Sequence, residues 1–237
     1  MMKILFIGNS HTYMNDMPEL ARQMLENASG ETCEVFILAY SGRSLKWHME
    51  EEYFSVRFNI LYGGYDYCVI QEQAHPMTSA ADTAEFAGRI IGLCRKANTI
   101  PVIFETWAEK IKPENQAEMN RRYRKIAREQ DALLAPVGEV WEKVMPEFQK
   151  VSGPDLYFRD GEHASPAGDY LIAMVIVKAI TGKLPDRNFR KTFDFTRSDD
   201  RWLPVKENAG DETVQLSEEA VNMIRKQIDM VPFKTGE

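Results

Sequence analysis

Ser10 and His163 are the two residues from which a reaction can be built in this chain. Ser10 lies in Gly8-Asn9-Ser10-His11-Thr12, directly after the apolar run Ile4 to Ile7. A serine hydroxyl is a poor nucleophile until a base takes its proton. That base is usually a histidine, oriented in turn by a carboxylate. Of the four histidines, His163 has Asp160 at i−3 in the short loop Asp160-Gly161-Glu162-His163, just before an apolar helical run. Such a loop lets the carboxylate reach Nδ1 and leaves Nε2 for Ser10. The chemistry this trio could do is acyl transfer. It also needs donors aimed at the developing oxyanion, and the N–H groups of Ser10 and Gly42 are candidates.

The elements that must position these residues follow from periodicity. Lys3 to Ile7 reads as a short, fully apolar strand of the kind covered on both faces, and Cys33 to Ala39, Tyr67 to Ile70, Pro101 to Phe104 and Ala132 to Val137 read as four further strands. Helical spacing recurs in Met17 to Ala28, with Asp16 as a cap and Gly30 as a stop, and in parts of Leu45 to Phe58. It recurs again in Ala80 to Ala97, Pro113 to Gln130 and Val140 to Phe148. Ser165 and Pro166 suit the N-cap and first turn of a helix ending at Gly182. Strands alternating with helices predict an α/β fold, a three-layer α/β/α sandwich on a parallel sheet of about five strands. Residues 1–183 form the expected α/β domain. Residues 184–237 form a C-terminal appendage packed on it, with a late helix from Ser217 to Met230 and no strand rhythm.

Ligands of open parallel sheets bind at the carboxyl ends of the strands. The polar segments there are Gly8-Asn9-Ser10, Ser41-Gly42, Gln71-Glu72-Gln73 and Glu105-Thr106-Trp107. Asn9, Gln71, Glu105 and Trp107 are therefore candidate substrate contacts. Trp107 either stacks on a sugar or walls an acyl pocket, or it packs under a loop. His11 reads as a solvent-exposed loop residue and His48 as a surface one. The basic run Arg121-Arg122-Tyr123-Arg124-Lys125 reads as a solvated helix face.

These residues, in this order, resemble the GDSL/SGNH hydrolase superfamily. Gly8-Asn9-Ser10 matches its first block, with Asn9 in place of the usual Asp. Gly42 matches the glycine of the second block, and Asp160-Gly161-Glu162-His163 matches the final Asp-x-x-His. The resemblance spans about residues 3 to 182. It implies Ser10 as nucleophile, His163 as base, Asp160 as its orienting partner, and no cofactor or metal. The family's third block, Gly-x-Asn-Asp, is absent. Gln71-Glu72-Gln73-Ala74-His75-Pro76 stands there, so the third oxyanion donor falls to Gln73, Gln71 or His75. Gln73 is favoured, because an amide N–H donates at any pH. The implied substrate is a small-molecule or carbohydrate ester with a short acyl group. His163 acts as base only when neutral, so the rate is expected to rise from acid toward neutral pH.

The bulk composition narrows the field. The 237 residues carry 29 basic and 36 acidic side chains, a net charge of −7, which disfavours nucleic acid and anionic membranes as partners. Cys33, Cys68 and Cys94 lack zinc spacing and read as buried free thiols. No signal segment or membrane span is evident, so a cytoplasmic location is expected. A rival reading keeps the fold without catalysis, as a module binding a glycan or a phosphorylated small molecule. Gly8 to Thr12 is small and polar enough to cradle phosphate, but no phosphate-loop pattern is present, and Asp160 and His163 would then have no task.

Overall fold

A computed structural model describes residues 1–150, 154–189, 192–194 and 213–233. Its centre is a parallel sheet of five strands, in the order β2-β1-β3-β4-β5. They are β1 (Met2–Gly8), β2 (Cys33–Ala39), β3 (Tyr67–Gln71), β4 (Ile100–Phe104) and β5 (Leu133–Ala135). Register runs from Ile4 against Val35 on one side and Tyr67 on the other, to Gly8 against Ala39. Because successive side chains of a strand point to opposite faces, Ile4 and Phe6 enter one core while Leu5 and Ile7 enter the other. That two-sided burial is why the central strand β1 is apolar from Ile4 to Ile7 instead of alternating, whereas the edge strand β2 leaves Phe36 and Ile37 exposed.

The first core is closed by α2 (Met17–Ser29), α7 (Val137–Lys150), α8 (Pro166–Thr181) and α9 (Glu218–Met230). The second is closed by α3 (Leu45–Glu50), α4 (Tyr53–Gly63), α5 (Ala80–Lys96) and α6 (Gln116–Glu129). The remaining helix, α1 (Ser10–Tyr13), is a single turn at the end of β1. Helix α8 is apolar all round because it lies inside the first core, between α2 and α7. Its start is set as read: the Ser165 hydroxyl accepts the Gly168 N–H, and Pro166 follows.

Several expectations are corrected. The segment after β1 is half helix, since α1 begins at Ser10. Asp16 holds the cap position of α2 in a left-handed conformation, but its side chain does not cap the helix. Leu45 to Phe58 divides into two helices, broken at Glu51 and Glu52. Helix α7 starts three residues earlier than its periodicity suggests, because Pro136 ends β5 and its carbonyl takes the Val140 N–H. The tail does hold strands: β6 (Thr192–Asp194) pairs antiparallel with β7 (Thr213–Gln215). Helix α9 shares the first core through Ala220, Val221, Ile224 and Ile228. Residues 190–191, 195–212 and 234–237 of the expected appendage lie outside the described residues. The three cysteines are free and buried. No helix among the described residues is long and apolar enough to cross a membrane.

Candidate active site

Strand order reverses at β1, whose neighbours β2 and β3 leave in opposite directions along the sheet. Ser10 sits directly beyond the carboxyl end of β1, at this switch point. Its backbone is fixed from three sides. The Asn9 side chain caps α1 by accepting the His11 N–H (3.0 Å), and its Nδ2 donates to the Arg43 carbonyl (3.1 Å). The Asn9 N–H donates to Gln71 Oε1 (2.8 Å), which also accepts the Thr12 hydroxyl (3.0 Å). Gly8 is required here, since a Cβ on it would lie 2.4 Å from both Gln71 Oε1 and Thr12 Oγ1. Its carbonyl meets His48 Nε2 at 2.8 Å. Ser10 thus opens a helical turn, where the first N–H groups have no acceptor within the helix.

His163 arrives on the loop between Tyr157 and α8. Its Nε2 is 2.8 Å from Ser10 Oγ, and its Nδ1 is 2.7 Å from Asp160 Oδ2. The other carboxylate oxygen, Oδ1, accepts the N–H groups of Glu162 (2.9 Å) and His163 (3.0 Å). Partial burial pushes the Asp160 carboxyl up. The two N–H donors and the imidazole outweigh it, and the group is held below the usual carboxylate range. Trp107 secures this loop by donating its indole N–H to the Glu162 carbonyl (2.9 Å), and the Lys110 N–H binds the Gly161 carbonyl (2.8 Å). The structure therefore brings Ser10, His163 and Asp160 into one hydrogen-bonded line.

The remaining expected contacts divide. Gly42 lies exposed in the turn Tyr40 to Arg43, with φ of +65°, a conformation that favours glycine. The turn is tied to the nucleophile segment through Arg43 and Asn9. Gln73 is half-buried, and its amide makes only a 3.4 Å contact with the His75 carbonyl. The four expected substrate contacts are corrected: Asn9, Gln71, Glu105 and Trp107 are at most 1% exposed. Gln71 is spent inside the protein, its oxygen on Asn9 and Thr12 and its amide N–H on the Glu72 carbonyl. Glu105 points at α7, where a Cβ on Gly138 would lie 3.1 Å from its Oε1. Burial lifts its carboxyl well above the usual range. Trp107 is stacked on Trp141 (4.4 Å between centroids, 5° between planes). It packs under the loop instead of facing a sugar.

Two histidines read as exposed are buried. His48 sits under Gly8, and His11 is wedged against His163 (4.7 Å), His75 (5.1 Å) and Trp107 (5.1 Å). Burial, followed by the charges of His163 and His75, holds His11 well below the ordinary imidazole range. Burial also pushes His75 down to about 4, with Glu109 (3.7 Å) pulling it back and His163 adding to the fall. The sequence reading missed Asn15. Its Nδ2 donates to the Ala164 carbonyl (3.1 Å) and to Asp169 Oδ2 (2.5 Å), tying the nucleophile segment to the histidine loop and to α8. The one hint was Asn15-Asp16, a pair that tolerates left-handed backbone; both have positive φ.

Comparison with solved structures places this architecture. A protein from Slackia heliotrinireducens, described as a candidate SGNH hydrolase, superposes with a TM-score of 0.63 at 27% identity, over 76% of this chain and 98% of its own. TesA superposes at 0.60 and 14%, over 76% and 98%. Axe2, an acetylxylan esterase from Geobacillus stearothermophilus, superposes at 0.57 and 13%, over 76% and 92%. No protein-family model matches the chain, and no curated protein matches it. The chain has the GDSL/SGNH-hydrolase fold.

Proposed function

We propose that the protein is an SGNH-type serine esterase. The observation that carries this reading is the unbroken line from Ser10 Oγ through His163 to Asp160, with links of 2.8 and 2.7 Å, at the switch point of a fold shared with hydrolases and esterases.

On this reading the reaction runs through an acyl-enzyme. His163 Nε2 takes the Ser10 proton as Oγ attacks the ester carbonyl carbon. The resulting imidazolium is stabilised by Asp160, whose two oxygens are already oriented by three donors. The oxyanion is received by the N–H groups of Ser10 and Gly42 and by the nearly free amide of Gln73. Collapse expels the alcohol, which takes the proton from His163, and leaves Ser10 acylated. Water then attacks the acyl carbon, gives a proton to His163 and releases the acid as Ser10 recovers its proton. A short acyl group, acetyl on a carbohydrate hydroxyl, is the substrate favoured by the Axe2 likeness.

The test is hydrolysis of p-nitrophenyl acetate by the purified chain beside Ser10→Ala. A fall of at least about a thousandfold in kcat is expected on losing a triad nucleophile. Equal rates in the two proteins would overturn the reading.

A further inference from the structure

Behind the catalytic loop lies a second concavity, a cleft of about 330 Å³. This is at the small end of the range for small-molecule sites, roughly 300 to 1,000 Å³, and suits one or two rings. Its floor is apolar and buried: Trp141, Tyr157 and Ala108 are each less than 9% exposed. Met145 and Pro113 extend that surface to the mouth. The floor is also rigid. Trp141 is clamped face to face on Trp107 and edge-on to Tyr157 (5.0 Å), whose hydroxyl donates to the Ala108 carbonyl (2.8 Å).

The polar groups at the rim limit what can enter. Glu142 is exposed and meets Asn120 only at 3.5 Å, so its carboxylate is available as an acceptor. Lys110 faces it from the cleft lining, with its ammonium over the Tyr157 ring (5.8 Å) and paired with Asp155. An anionic ligand would meet Glu142, and Lys110 is already answered by Asp155. A neutral ring with an apolar face and a hydroxyl edge suits the aromatic floor, the Glu142 acceptor and the Lys110 donor together.

We propose that this cleft is a carbohydrate subsite. A pyranose ring lays its C–H face over Trp141, Tyr157 and Met145 and sets its hydroxyls on Glu142 and Lys110. The cleft shares its wall with the catalytic loop, because Lys110 binds Gly161 and Tyr157 bridges to Ala164. A glycan held here therefore packs against residues that support the loop carrying Asp160 and His163. The role in catalysis rests on the esterase reading; the binding itself does not.

The experiment is titration of the full chain with methyl β-D-xylopyranoside and methyl β-D-glucopyranoside. It is followed by tryptophan fluorescence and by saturation-transfer NMR, in the wild type, Glu142→Ala and Met145→Arg. Saturable binding in the millimolar range is expected for at least one sugar. It should weaken by at least about tenfold in Glu142→Ala, the loss of a charged acceptor, and vanish in Met145→Arg, where a long side chain fills the mouth. No saturable binding of either sugar, or equal binding in all three proteins, overturns the proposal. Turnover of p-nitrophenyl acetate by the wild type judges the esterase reading separately. Turnover without sugar binding sinks the subsite alone, and sugar binding without turnover sinks the esterase and leaves the subsite standing.

Discussion

Two carboxylate–imidazole pairs lie close to Ser10, and they are built differently. Asp160 and His163 are three residues apart on one loop and meet at 2.7 Å, with the second carboxylate oxygen held by two backbone N–H groups. Glu109 and His75 come from loops after different strands and stand 3.7 Å apart, and Glu109 is also paired with Lys112 (3.0 Å). His163 keeps a side chain 21% exposed, whereas that of His75 is 4% exposed and its imidazole is pushed down to about 4. The difference teaches that an imidazole near a carboxylate is not thereby a catalytic base. The base must be in line with the nucleophile, held in one tautomer and open enough to carry a charge. His75 is neutral and sealed, and works as a wall.

The largest effect should come from breaking the tight pair. Asp160→Asn keeps the shape but offers Nδ1 a donor in place of an acceptor, favouring the wrong tautomer. A loss of about 10³- to 10⁴-fold in kcat is expected, as for other triads. Loss below about tenfold in p-nitrophenyl acetate turnover would mean that Asp160 orients nothing.

A smaller effect is expected from Asn15→Ala, which touches neither pair. It releases Ala164, the neighbour of His163, and takes from Asp169 Oδ2 its Asn15 donor. It also puts an alanine at φ near 49°. Misplacing a catalytic group by about an ångström can cost about a hundredfold, so a fall of roughly ten- to a hundredfold in kcat with little change in KM is expected. Asn15→Asp, which can take the same backbone but cannot donate, should behave alike. A normal rate in both would show that Ser10 and His163 hold their alignment without this tie.

His75→Gln sharpens the comparison from the weak side. Turnover should stay within about tenfold of the wild type. The effect should appear in stability against pH. The folded chain holds His75 at about 4, while an unfolded histidine titrates near about 6.5. Between those values the unfolded state binds the extra proton. Wild-type stability relative to His75→Gln is then fully present above about pH 6.5 and declines as pH falls toward about 4, by at most about 1.4 kcal/mol per pH unit. Urea midpoints from pH 7 to pH 4.5 measure this, and parallel curves would show that His75 is not held neutral by burial.

Much of this molecule was legible along the chain because the responsible interactions are local. Short runs rich in apolar residues marked the five strands, and Ser165-Pro166 marked the start of α8. Asp160 and His163 were readable as a pair because three residues in a loop bring their side chains within reach. Serine after the first strand and glycine after the second fell on one rim by topology alone.

What the chain order could not disclose was which polar residues face solvent. Asn9, Gln71, Glu105 and Trp107 stand at strand ends, where ligand contacts are expected, yet each is turned inward. Gln71 holds the nucleophile turn, Trp107 holds the histidine loop, Asn9 caps α1, and Glu105 lies against α7. His11 and His48 were misread for the same reason. Burial is a property of everything that packs around a side chain, including segments far away in the chain. It therefore depends on how β1, β4 and α7 come together and not on the residue or its neighbours. The tie from Asn15 to Ala164 and Asp169 spans about 150 positions and exists only once α8 has docked beside α2. Residue type and local spacing singled out the trio Ser10, Asp160 and His163. Only the assembled fold decided which of its polar neighbours support that trio from within.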